Sequence, residues 1–192
     1  MRAEVVAVRR TARFAPLMAL GALLLAPVCS PAQTVLGTQT LNLNLNGAGL
    51  IYAVPATTPL TNSGTVFSNY NGSISITYRA RTTVTTGTGA ITLQALSGDF
   101  TPTGGPALAS GALKYTCSGA TLGTNCSGTQ TVSTASATNV VTLPAAVCTG
   151  GGSLCSTANP NTVTINFTLT NDPQYIAGTG YSVTLTFTIS AT

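Results

Sequence analysis

The stretch Gly178 to Ser190, GTGYSVTLTFTIS, decides the fold. From Tyr181 its alternation is unbroken. Tyr181, Val183, Leu185, Phe187 and Ile189 fall on one side, and Ser182, Thr184, Thr186, Thr188 and Ser190 on the other. Strand side chains alternate with period two, so the stretch predicts a β-strand with one dry face and one wet, hydroxyl-lined face. Burying five such apolar side chains is worth about 10 kcal/mol gross. A lone strand cannot bury them, so the rest of the chain must supply a second layer.

The same alternation recurs upstream. Asn161–Asn171 (NTVTINFTLTN) turns Val163, Ile165, Phe167 and Leu169 inward, and Asn139–Leu143 (NVVTL) is a short strand. Leu113–Cys117 (LKYTC) buries Leu113, Tyr115 and Cys117 and leaves Lys114 outside; Ala90–Ala95 (AITLQA) buries Ile91 and Leu93. Ser73–Thr82 points Ile74, Ile76, Tyr78 and Ala80 inward and Arg79 and Arg81 outward. Leu50–Val54 (LIYAV) is apolar on both faces and stops at Pro55. Thr38–Gly47 (TQTLNLNLNG) sets Leu41, Leu43 and Leu45 against Asn42, Asn44 and Asn46 and closes on an Asn-Gly turn. Residues 55–72, rich in Pro, Thr, Ser and Asn, read as a loop with one short strand. Ser97–Pro106 and Asn171-Asp172-Pro173 read as turns. About eight alternating strands with no amphipathic helix between them predict an all-β, immunoglobulin-like two-sheet sandwich, dry inside and wet outside.

The first residues read differently. Arg2, Arg9, Arg10 and Arg13 precede the apolar run Phe14–Val28, and Ser30-Pro31-Ala32 supplies small residues for cleavage, so residues 1–32 read as a signal peptide. The run is shorter than the ~20 residues a spanning helix needs, and Pro16, Gly21 and Pro27 interrupt it. Val28 before Cys29 argues against a lipid-attachment site. Residues 33–192 form the single sandwich domain, placed by this reading in the periplasm, at the cell surface or outside the cell. No stable membrane span is expected after cleavage.

Without the leader, Arg79, Arg81 and Lys114 stand against Asp99 and Asp172, a net charge of +1. Phosphate backbones need clustered Lys and Arg, so nucleic acid is not an expected partner. The four remaining cysteines read as disulfides. Of three connectivities, Cys117–Cys126 and Cys148–Cys155 is the expected one, because each pair encloses a short Gly/Ser-rich loop. A four-thiolate zinc site would want C-x-x-C spacings, which are absent.

After the leader there is no His, Glu or Trp. Without histidine there is no base of near-neutral ordinary pKa, and Ser-His-Asp, Cys-His and H-E-x-x-H chemistries are excluded. A glycosidase pair would have to be Asp99 and Asp172, but both lie in turn sequences where Asp caps the backbone. Lys114 has no S-x-x-K around it, calcium would lack a carboxylate cluster, and Thr149–Ser153 (TGGGS) lacks the lysine of a phosphate loop. The chain reads as non-enzymatic, with no cofactor and no metal.

Two functions of different class remain. The first is a structural or adhesive surface protein with a neutral, hydroxyl-rich exterior. The second is a small binding module, for instance for glycans, which stack on aromatic faces; the loop-placed candidates are Phe67, Tyr70 and Tyr175. Against this, the rings can simply pack the sandwich ends. Arg79 and Arg81 can clamp a carboxylate or sulfate, but their expected role is to keep a sheet face or edge from self-pairing.

Gly178-Thr179-Gly180-Tyr181, leading into Val183, Leu185, Phe187 and Ile189, resembles the closing strand of secreted bacterial sandwich domains. It is similar to pilin-type subunits, including the spore-coat-U-like group, and to bacterial Ig-like modules. The resemblance implies a fimbrium-like or adhesive role, with other copies of the chain or envelope proteins as partners through sheet edges. The uncharged closing strand must be paired by something. Val35, Leu41, Leu43 and Leu45 share one side of an N-terminal arm, expected here as the first strand of its own sandwich. A pilin-type subunit would instead donate such an arm to its neighbour.

Overall fold

The computed structural model describes residues 43, 45–62, 64–96, 98–148, 155 and 160–192. The expected signal peptide, Thr149–Ser153 of the second cysteine loop, and residues 38–42 and 44 of the expected first strand lie outside them. The chain divides into two units, Met1–Asn42 and Leu43–Thr192, and the second holds all the described residues.

The described residues form ten strands and no α-helix, in two antiparallel sheets. The strands are β1 (Ala48–Ala53), β2 (Thr61–Asn62), β3 (Tyr70–Arg81), β4 (Gly89–Ala95), β5 (Leu113–Ser118), β6 (Thr124–Asn125), β7 (Gln130–Thr131), β8 (Thr138–Leu143), β9 (Asn161–Leu169) and β10 (Leu185–Ala191). A 3-10 turn, Leu108–Ser110, precedes β5. The larger sheet runs β1-β3-β9-β5-β7, with β2 also on β3; the smaller runs β10-β4-β8-β6.

The alternating residues of β3, β4, β5 and β9 turn inward as their sequences require. Ile76, Tyr78, Val163 and Ile165 of one sheet and Ile91, Leu93, Val140 and Val141 of the other are fully buried. Two adjacent valines can both face the core because the register between β4 and β8 shifts there, a bulge that turns the extra residue. Buried tyrosine hydroxyls tie the layers. Tyr115 Oη lies 2.8 Å from both Thr138 Oγ1 and the Asn139 carbonyl, and Tyr78 donates to the Leu122 carbonyl. Burial pushes both hydroxyl pKa values up.

Cys117 is bonded to Cys126 and Cys148 to Cys155. The first bridge joins β5 of the larger sheet to the residue after β6 of the smaller one, so it spans the two layers. Disulfides form and persist in oxidising compartments.

Three expectations change. The closing strand is shorter than Tyr181–Ser190, and its five apolar side chains are half-buried, because β10 is an edge strand whose inner face is only partly covered. The stretch read as Leu50–Val54 is the edge strand β1, Ala48–Ala53, with Leu50 54% and Tyr52 53% exposed. Leu43, Leu45, Asn46 and Gly47 lie outside every strand, with Leu43 74% and Leu45 61% exposed. Two-residue strands β6 and β7 also form where no alternation announced them.

Candidate functional site

On one flank the two sheets meet along a seam between β1 at the edge of the larger sheet and β10 at the edge of the smaller. At one end the seam is shut: Gly49 packs on Ile189 and Gly47 on Thr192. Toward the other end it opens, for a reason visible in the pairing. β1 leaves β3 at Ala53↔Thr77, and β2 rejoins it at Thr61↔Asn71. Between those points the edge of β3 has no partner strand among the described residues, and Val54–Leu60 swings out, with Pro55 and Pro59 unable to donate to a ladder. Gly72 lets this segment lie against β3; a Cβ there would stand 2.7 Å from the Pro59 carbonyl.

The result is a cleft of about 1010 Å³. Ile74, Phe100, Leu113, Phe167 and Leu169 stand at its depth, and Val183, Leu185 and Phe187 form one wall. Its mouth carries Val54, Val66, Phe67 and Ile176, all of them exposed apolar side chains. The rim hydroxyls and amides include Thr57, Asn62, Asn171 and Ser182.

Beside this wall runs the outer backbone edge of β10. The Thr184 carbonyl accepts from Leu96 N–H, and Thr192 N–H donates to the Thr88 carbonyl, each at 2.9 Å. The antiparallel alternation therefore turns the even-numbered backbone groups toward β4 and those of Leu185, Phe187, Ile189 and Ala191 outward. Among the described residues β4 is the sole strand paired with β10.

The sequence candidates separate. Phe67, Tyr70 and Tyr175 line this one cleft, with Tyr181 beside them. The pKa of Tyr175 is raised by burial and by the nearby Asp172 carboxylate, against a hydrogen bond with Ser110. Asp172 holds a turn, its Oδ1 accepting from Gln174 N–H at 2.9 Å; Asp99 is not among the lining residues. Arg79 and Arg81 lie apart, in a depression of about 380 Å³ that also touches Cys148 and Cys155. Arg79 stacks over the Tyr52 ring at 4.3 Å and donates to its hydroxyl. Arg81 donates from Nε and Nη2 to the Asn46 carbonyl at 3.1 and 2.8 Å. Both guanidiniums thus hold β1 and the segment entering it. Among the described residues no three His, Cys, Asp or Glu side chains gather as a metal site would need, and no helix is long and apolar enough to cross a membrane.

Sequence reasoning found the rings but not the cleft. Its depth is built from residues that read as ordinary core, and the signal for its opening was the pair Pro55 and Pro59 between two pieces of one edge. An apolar floor beside N–H and C=O groups that have no partner strand among the described residues suits an extended, uncharged chain segment. No family model, curated protein or solved structure matches this chain.

Proposed function

We propose that this protein is a non-enzymatic, exported structural or adhesive component of a cell surface, an immunoglobulin-like sandwich whose copies join through their sheet edges. In this reading residues 38–46 of one copy lie along β10 of the next. The observation that carries it is the outward backbone of Leu185 and Phe187 beside the apolar cleft, an edge that adds strands when left open. The arm supplies a matching partner: Leu41, Leu43 and Leu45 alternate with asparagines, and it carries no charge. Leu43 and Leu45 are exposed on their own chain. Two disulfides suit a chain that works in the periplasm, on the surface or outside the cell.

Sedimentation of the purified mature chain tests this. Wild type should form concentration-dependent chains, and Leu43→Asp with Leu45→Asp should leave monomers of unchanged fold. A wild type that stays monomeric and ignores a synthetic peptide of residues 38–46 overturns the reading.

A second reading, a secreted glycan-binding module, is favoured by one observation: Phe67, Tyr70 and Tyr175 line the same cleft. Oligosaccharide titration followed by tyrosine fluorescence separates the two, since only this reading expects a saturable change with sugar.

A further inference from the structure

At the mouth of the cleft a small loop is built around one side chain. Asn62 Nδ2 donates to the Ser68 carbonyl at 2.7 Å, and Asn62 Oδ1 accepts from Gly64 N–H at 2.7 Å. The Ser68 hydroxyl lies 2.7 Å from the same Oδ1 and 2.9 Å from the Thr65 carbonyl. Pairing of Thr61 and Asn62 with Asn71 and Tyr70 fixes the base of the loop to β3. These bonds tie the described residues Asn62, Gly64, Thr65 and Ser68 to one another.

What the support presents is apolar. Val66 is 86% exposed and Phe67 56% exposed, and both line the cleft mouth. Phe67 has φ 59°, the left-handed region that bulky residues rarely adopt and glycine adopts freely. A ring at this position therefore works against the local backbone and is not enclosed by its own chain. Neither folding nor burial accounts for it. An exposed aromatic at the rim of an apolar groove is instead the form that contact-dominating residues take at interfaces, offering a large apolar area to a partner.

We infer that Phe67 is the residue by which the cleft selects its partner strand, held by the Asn62 loop so that its ring packs on the arm of a second copy. This rests on the proposal that residues 38–46 of that copy occupy the cleft. The ring accepts a leucine of the arm and disfavours a strand that brings a charge to the same place, because the charge would lose water against an apolar ring and floor. The partner is thus specified as an uncharged strand with alternating leucines, which residues 38–46 provide.

The test compares full mature wild type with Phe67→Gly and Asn62→Ala, measuring self-association by sedimentation and, at a dilution where wild type is dissociated, thermal midpoint by circular dichroism. Phe67→Gly should weaken association about tenfold or more, the effect of losing a central aromatic contact, while the midpoint holds or rises because glycine accepts this backbone. Asn62→Ala, which keeps the ring and loosens its support, should weaken association as well. If wild type associates and Phe67→Gly associates equally, the inference is wrong and the strand-addition proposal stands. If the Phe67→Gly midpoint falls in step with association, the ring is structural packing and the inference is again wrong, as it is if Asn62→Ala changes nothing. A wild type that neither associates nor binds a peptide of residues 38–46 overturns both.

Discussion

Gly49 of β1 and Ile189 of β10 touch across the seam between the two sheets: a Cβ on Gly49 would stand 2.8 Å from Ile189 Cγ1. This close approach shuts one end of the seam. Gly49→Val should therefore pry the edges apart and cost about 1–3 kcal/mol, the usual penalty of overpacking. Urea unfolding measures it, and an unmoved midpoint would mean that the two edges do not meet here in solution.

The Tyr115 hydroxyl reaches from the larger sheet to Thr138 and Asn139 of the smaller one. Tyr115→Phe removes it and leaves the Asn139 carbonyl short of a partner, an expected loss of about 1–2 kcal/mol in urea unfolding.

The same hydroxyls make stability fall in alkali. Burial raises the pKa of Tyr78 and Tyr115 in the folded chain. Above the ordinary tyrosine value of about 10 the unfolded chain releases protons that the folded chain still holds, so stability drops as pH rises. Below that value their contribution is fully present. Denaturation midpoints at several pH values from neutrality upward should decline beyond pH ~10, and Tyr78→Phe with Tyr115→Phe should flatten the decline.

Phe167 and Phe187 both bound the cleft, but Phe167 is 4% exposed and Phe187 is half-buried on the edge strand. Phe167→Ala should cost about 3–5 kcal/mol. Phe187→Ala should cost roughly half as much in the monomer, because less of its surface leaves water. Equal costs would place Phe187 in a closed core and remove the open wall.

The Cys117–Cys126 bridge closes a loop with a sequence separation of 9. Replacing both cysteines with alanine should lower stability by about 2.5 kcal/mol through the freedom returned to the unfolded chain. Chemical denaturation of the double variant checks it.

The alternation in β3, β4, β5 and β9 was legible because each strand is buried on one face by a partner layer, so period two survives in the residues themselves. Cys117 and Cys126 were legible as neighbours because a short loop keeps them close, and the two expected pairs are bonded in the structure. At the edges the code weakens. Tyr181 and Val183 alternate as perfectly as Leu185 and Phe187, yet they lie outside β10: there Ser182 bonds to Thr101 as an isolated bridge, and alternation reports which side is dry and not which backbone makes a continuous ladder. Leu50–Val54 reads as apolar on both faces, but β1 sits at a rim where Leu50 and Tyr52 stay about half exposed, Tyr52 under the Arg79 guanidinium. The cleft was hidden for a related cause. Ile74, Leu113 and Leu169 are core residues by pattern, and only the three-dimensional gap between β1 and β2 makes them a floor.

The position of β9 has a bearing on time. It lies between β3 and β5, pairing Ile165 with Ile74 on one side and Phe167 with Tyr115 on the other. Both partners are synthesised well before it, so the larger sheet cannot zip until β9 itself has left the ribosome. Until then β3 and β5 wait with alternating apolar residues and open edges, the features that make nascent β-chains prone to aggregate. Non-local pairing of this kind folds on a scale of about milliseconds to seconds. Under the proposed export, in which the polypeptide crosses a membrane unfolded, the delay is useful: β3 and β5 cannot lock into their sheet until β9 follows them, which keeps this part of the chain threadable.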